Sequence, residues 1–278
     1  MKILLTNDDG YRAPGLQILV DLMRPLGDLT VVAPKYHQSG MSMAISMGMK
    51  PIAVKQLSDD PHERWWYVDG TPASCVKYAL DELFPDGLPD VCISGINHGA
   101  NTASAALYSG TLGGAREAAL ASVPALGVSL DDMSFTADFT VVKEMFLPIF
   151  RKLMDNYSGR FGVYYNVNFP NLPASGIKGV SICHQGILHW VKEFQPYDHG
   201  MFHRLGISPV DMGITNMPRV EDGEKVYMMA GRISDDDRNT GNADHRQLEK
   251  GFISISAHNI DSSDYREIEE LSKIDFGI

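Results

Sequence analysis

The sequence predicts an α/β protein, a mostly parallel sheet with flanking helices in three layers, and three observations carry that reading. Short apolar runs alternate with helical patterns up to about residue 170, which is the signature of β-α-β units. Pro and Gly stand where one pattern gives way to the next. After residue 175 helical periodicity fades, and β-type runs appear among dense Asn, Gly, Asp and Pro. We therefore expect a core over residues 1–174 and a β-rich extension over 175–278, used as an arm in oligomer contacts.

Residues 2–6 form a compact apolar strand. Leu16, Leu19, Val20, Met23 and Leu26 then recur at helical spacing, with Pro14 at the start of that helix and Gly27 just past its end. A second strand at 29–33 is stopped by Pro34, and residues 35–51 have no clear period and read as a long loop. Residues 52–56 and 65–68 read as strands. Thr71-Pro72 supplies a helix N-cap and first turn, and Val76, Ala79, Leu80 and Leu83 one buried face. Residues 91–95 are a further core strand. A Gly-rich segment at 99–114 leads into an Ala-rich helix around 116–121, followed by a strand at 125–130. Val142, Met145, Phe146, Ile149, Phe150 and Leu153 mark a long amphipathic helix, which Pro148 should kink or divide. The strand at 162–169 ends at Pro170. In the extension, strands are expected at 179–183, 225–230 and 252–256.

Composition excludes several classes of function. The chain has 278 residues and a formal charge of −11, with 35 acidic against 24 basic residues. That balance disfavours a nucleic-acid polymer as partner, because phosphate chains want a basic footprint. A small phosphorylated ligand remains open, since one bound cation reverses the local field. No run approaches the roughly 18 consecutive apolar residues of a membrane span, and the opening apolar stretch is too short for a signal peptide. Cys75, Cys92 and Cys183 form no C-x-x-C pair and read as buried free thiols, which points to the cytoplasm.

Four polar clusters fall at strand ends or in the loops after them, where ligands collect in an open parallel sheet. Asn7-Asp8-Asp9-Gly10 follows the first strand, and its two carboxylates need a cation or donors between them. Hard oxygen ligands of this kind suit magnesium, manganese or calcium, although the pair also suits a helix cap and a turn. Ser39-Gly40 lies in the loop after strand two, where the hydroxyl is a weak metal ligand or an ordinary loop serine. Ser94-Gly95-Ile96-Asn97-His98-Gly99-Ala100-Asn101 offers amide groups to a cation or a phosphoryl oxygen, or makes a plain Asn/Gly turn. Tyr108-Ser109-Gly110-Thr111-Leu112-Gly113-Gly114-Ala115 enters a helix with hydroxyls and free amides. Such a start cradles phosphate or serves close packing, and it lacks the lysine of a P-loop.

Together these clusters resemble the SurE family, the survival-protein nucleotidases that remove phosphate from nucleoside monophosphates. The matching residues also include Ala33-Pro34, Gly70-Thr71-Pro72-Ala73 and Asn166-Val167-Asn168-Phe169-Pro170, in order over roughly residues 1–170. The resemblance implies that Asp8, Asp9, Ser39 and Asn97 ligate one divalent metal ion, magnesium or manganese, with Asp8 and Asp9 as catalytic residues. It implies that Asn101, Ser109, Gly110 and Thr111 line the phosphate pocket. The implied fold is a Rossmann-like sheet with a C-terminal β-hairpin extension that supports homodimers or homotetramers. The implied substrates are nucleoside 5′-monophosphates, with 3′-monophosphates and short polyphosphate as further candidates. Asp244 and the strand after it match the family more loosely, with Ala243 and Ala257 where threonine and proline are more usual.

The chemistry expected of such a site is metal-assisted hydrolysis by an in-line water. His98 beside Asn97 is a candidate acid for the leaving alkoxide, His199 and His203 have a spacing that binds metal on a helix, and Asp235-Asp236-Asp237 reads as a solvated loop. Trp65-Trp66-Tyr67 reads as packing, or as an aromatic near the pocket that stacks on a base. A receiver-type signalling domain also binds magnesium after its first strand. It needs a phosphoacceptor aspartate where Asn97 stands. A dinucleotide-binding Rossmann protein needs G-x-G-x-x-G after strand one, which Asp8-Asp9-Gly10 with Gly15 does not supply.

Overall fold

The computed structural model of the chain describes residues 1–48, 51–134, 136–198, 200, 203–204, 220–229 and 231–276. Its first half alternates as expected: β1 (Lys2–Thr6), α1 (Pro14–Met23), β2 (Asp28–Pro34), β3 (Val54–Asp60), β4 (Glu63–Val68), α2 (Pro72–Tyr78) and β5 (Val91–His98). The series continues through α3 (Ala105–Tyr108), α4 (Gly110–Leu120), β6 (Ala125–Leu130), α5 (Thr140–Asp155) and β7 (Val163–Phe169). Then come β8 (Val180–Cys183), β9 (Leu188–Val191), β10 (Phe194–Pro196), β11 (Tyr227–Met229), β12 (Arg232–Asp235), α6 (Asp244–Glu249), β13 (Ile253–Asn259) and α7 (Tyr265–Leu271). No helix among the described residues is long and apolar enough to cross a membrane.

One nine-stranded sheet runs in the order β3-β4-β2-β1-β5-β6-β7-β13-β8. The six strands from β4 to β7 are mutually parallel, and β3, β13 and β8 run the other way. Ile3, Leu4 and Leu5 of β1 are all fully buried, as a central parallel strand covered on both faces requires. Alternation sorts them: Ile3 and Leu5 join the core beneath α1 and α5, while Leu4 joins the core beneath α2 and α4. Because β1 leads outward to β2 and α2 returns the chain to β5, the strand order reverses between β1 and β5. That crevice is where such sheets bind ligands.

Several local expectations shift. The helix expected around 116–121 already begins at Gly110, with Ser109 as its cap. Its glycines hide the helical period, since glycine is a poor helix former. Helix α5 runs unbroken through Pro148, which lies on the exposed face, while Val142, Phe146 and Phe150 stay buried. Strand β3 starts later and runs further than 52–56, because this edge strand is mostly exposed and carries little apolar signal. Beyond residue 174 the chain does two things. Strands β8 and β13 complete the central sheet, so the boundary at 174 falls inside one sheet, while β9–β12 and β10–β11 form separate two-stranded ribbons. The short helices α6 and α7 give too few turns for a period to show. The acidic run is not simply solvated either: Asp235 pairs with Arg246 and His245, and Asp236 with Arg238 and His189. Cys75 and Cys92 are buried free thiols, and Cys183 is half-buried. Ala230, the last residue of the strand expected at 225–230, and His199 lie outside the described residues, and His203 is exposed.

Candidate metal and phosphate site

The first strand ends in a turn that Asn7 closes on itself: its amide donates to the Gly10 carbonyl at 3.0 Å and accepts the Gly10 N–H at 3.2 Å. Asp8 and Asp9 project from that turn to different partners. Asp8 is 3% exposed and faces the start of α4. The Thr111 N–H donates to its Oδ2 at 3.0 Å and the Thr111 hydroxyl to its Oδ1 at 2.5 Å. Burial, and then the neighbouring Asp9 charge, push the Asp8 carboxyl up to about 6, against the pull of Thr111. Asp9 lies between two imidazoles, His37 Nδ1 at 3.2 Å and His98 Nδ1 at 3.1 Å, and the His98 N–H adds a bond at 3.3 Å. Burial raises Asp9, but the His37 and His98 hydrogen bonds outweigh it and hold the carboxyl below its ordinary range.

From β5, where pairing with β6 is interrupted between Ser94 and Asn97, Asn97 turns its amide into the crevice. Its Nδ2 donates to the Gly99 carbonyl at 2.7 Å, which fixes the side chain in its own turn. Asn101 is held by three bonds: its N–H to Asn168 Oδ1 at 2.8 Å, its Nδ2 to Ser129 at 2.9 Å, and its carbonyl from Asn166 at 2.7 Å. Ser109 caps α4 by accepting the Leu112 N–H at 3.0 Å, which leaves its hydroxyl proton for another acceptor.

Asp8, Ser39, Asn97, Asn101 and Ser109 line one pocket of about 120 Å³, with Tyr108 and Trp190 in its wall. Five of the eight expected site residues thus meet there. Asp9 instead faces a neighbouring hollow of about 460 Å³, on the other side of the turn after β1. Thr111 is wholly buried and serves Asp8. Gly110 gives the clearance this approach needs: a methyl there would sit 2.9 Å from the Asp8 side chain and from the Gln38 carbonyl.

Among the described residues no group of three or more His, Cys, Asp or Glu is arranged to hold a metal. The donors in the pocket are oxygens of mixed type: one carboxylate, hydroxyls and amides. That set fits a hard divalent cation completed by water and a phosphoryl oxygen, and does not fit zinc. Sequence reasoning missed His37 and Trp190. His37 sits in an unpatterned loop, and Trp190 lies more than 180 residues from Asp8 with no motif around it.

The family described as survival protein SurE matches residues 3–192. The chain belongs to the SurE family. It is 35% identical over 271 residues to the 5′-nucleotidase SurE of Christiangramia forsetii, covering 97% of this chain and 95% of the relative. It is 36% identical over 275 residues to the 5′-nucleotidase SurE of Syntrophobacter fumaroxidans, covering 98% of this chain and 99% of that one. The crystal structure of the SurE protein from Aquifex aeolicus superposes with a TM-score of 0.75 at 26% identity, covering 98% of each chain. The mostly parallel sheet with hairpins after it is therefore the SurE fold.

Proposed function

We propose that the chain is a metal-dependent 5′-nucleotidase that hydrolyses nucleoside 5′-monophosphates to nucleoside and phosphate. The carrying observation is that Asp8 from the turn after β1, Ser39 from the loop after β2 and Asn97 from the end of β5 line one pocket with Ser109 at the start of α4. Belonging to a family whose relatives are named 5′-nucleotidases supports the same reading.

Asp8, Ser39 and Asn97 would hold magnesium or manganese, with Asp9 joining from the adjoining side of the turn. The chemistry such a cation would supply is polarisation of a phosphoryl oxygen and a lowered pKa for water. The chain's own groups do the rest. Thr111 fixes the Asp8 carboxylate in position. The Ser109 hydroxyl and Asn101 bind phosphoryl oxygens as their charge develops. The N-terminus of α4 adds its dipole to that anion. His37 and His98 hold Asp9 ionised, so that its charge adds to the field that attracts the cation.

Phosphate release from a panel of nucleoside 5′- and 3′-monophosphates and short polyphosphate tests this. Activity with magnesium or manganese, lost in excess EDTA and restored by either ion, is expected. Release that persists in EDTA refutes the scheme.

The same reading assigns the extension a second role. Phe194, Met229 and Ile233 on the two ribbons are 66%, 70% and 62% exposed, a surface suited to a second copy of this chain. Light scattering should give a dimer or tetramer, and a monomer at working concentration would remove that role. Free, mostly buried thiols support work in the cytoplasm.

A further inference from the structure

The pocket of about 120 Å³ has room for a phosphoryl group and little more, since sites that bury a whole drug-sized ligand run to roughly 300–1,000 Å³. The nucleoside of a bound nucleotide must therefore lie at the mouth. Two aromatic rings stand in the pocket's wall. Tyr108, beside the cap of α4, and Trp190, on β9, meet with ring centroids 5.8 Å apart and planes at 82°. Tyr108 is 58% exposed, and Trp190 belongs to neither core cluster. Neither the indole N–H nor the phenol hydroxyl has a hydrogen-bond partner among the described residues.

Their placement is built rather than incidental. The Leu188 N–H donates to Ser104 Oγ at 3.0 Å, and Asn239 bonds both the carbonyl and the N–H of Ile187. Asp244, fully buried, accepts the N–H groups of Gly186 and Ala103, each at 3.0 Å. The start of β9 is thereby pinned to the loop before α3. On the other side Ser42 bonds the Tyr108 carbonyl with its N–H and the Leu107 carbonyl with its hydroxyl, each at 2.9 Å. Both rings are held in the pocket wall by bonds their own side chains do not make.

We propose that Tyr108 and Trp190 form the subsite for the base of the nucleotide. This rests on reading the pocket as the phosphate site. A planar base stacks on the indole and meets the phenol edge-on, with the indole N–H free for its polar rim. Purines, with the larger ring face, bind better than pyrimidines.

The test compares kcat/KM for 5′-AMP and ribose 5-phosphate, which lacks the base, in wild type, Trp190→Ala, Trp190→Phe and Tyr108→Ala. Calorimetric titration with adenosine, which lacks the phosphate, runs alongside. In Trp190→Ala the ratio of the two kcat/KM values should fall roughly tenfold, mainly through KM for AMP, with adenosine weakened by a similar factor. Trp190→Phe should keep most of the ratio. An unchanged ratio with unchanged adenosine affinity puts the base elsewhere and overturns the proposal. A parallel fall for both phosphates with adenosine binding intact makes Trp190 a structural prop and overturns it too. If wild type cleaves neither phosphate the nucleotidase reading fails, and the adenosine titration still decides the subsite.

Discussion

Thr111 grips Asp8 at both carboxylate oxygens, with its N–H at 3.0 Å and its hydroxyl at 2.5 Å, although 103 residues separate them. Thr111→Val keeps the shape and the backbone bond but removes the hydroxyl from a buried carboxylate. Urea unfolding should show a loss of about 1.5–3 kcal/mol, with weaker magnesium binding by calorimetry, and Thr111→Ser should recover both. Wild-type stability and affinity in Thr111→Val would mean the hydroxyl does not set the carboxylate.

Asp8→Asn removes the one carboxylate that lines the pocket. Turnover of 5′-AMP should disappear while circular dichroism stays that of the wild type. Wild-type rates in this variant would contradict its assignment as a metal ligand.

Gly113 is where the loop carrying Ser39 rests on α4. A methyl there would lie 1.8 Å from the Ser42 carbonyl oxygen, so Gly113→Ala must push the loop off the helix. Ser39 moves with it, and kcat/KM should fall roughly 100-fold, as ångström-scale misplacement of site groups does. The far-UV spectrum should survive. Unimpaired activity would show that Ser39 need not hold its place.

His258 stacks on Tyr164 at 5.3 Å and lies 2.9 Å from Ser256 Oγ. Burial is the main cause that lowers its pKa from the ordinary 6.5, with Arg116 adding to this and Asp244 opposing it. The folded state therefore binds fewer protons here than the unfolded chain. Its contribution is fully present above about 6.5 and is lost as pH falls below that value. Denaturant midpoints for wild type should drop between pH 7 and pH 5 more steeply than those of His258→Phe. Parallel profiles would mean His258 titrates normally.

Much of this protein is written locally. Alternating apolar runs decide a parallel sheet, because burying both faces of β1 demands unbroken apolar residues at Ile3, Leu4 and Leu5. The Asn7-Asp8-Asp9-Gly10 turn, the Thr71 cap and the Ser109 cap are likewise readable, since each bonds within three residues of itself. Glycine-rich α4 and the polar edge strand β3 were less legible in extent, because close packing and an exposed edge both erase the apolar period.

Tertiary structure alone decided where each expected site residue stands. Sequence placed Asp8, Asp9, Gly110 and Thr111 in one functional set. The fold divides them, with Asp8 in the pocket, Asp9 between His37 and His98, Thr111 as the clasp and Gly110 as clearance. It also carries Trp190 from β9 into the wall of a pocket built at the ends of β1 and β5. Such meetings follow from strand order and from long-range hydrogen bonds such as those of Asp244, and no spacing along the chain encodes them.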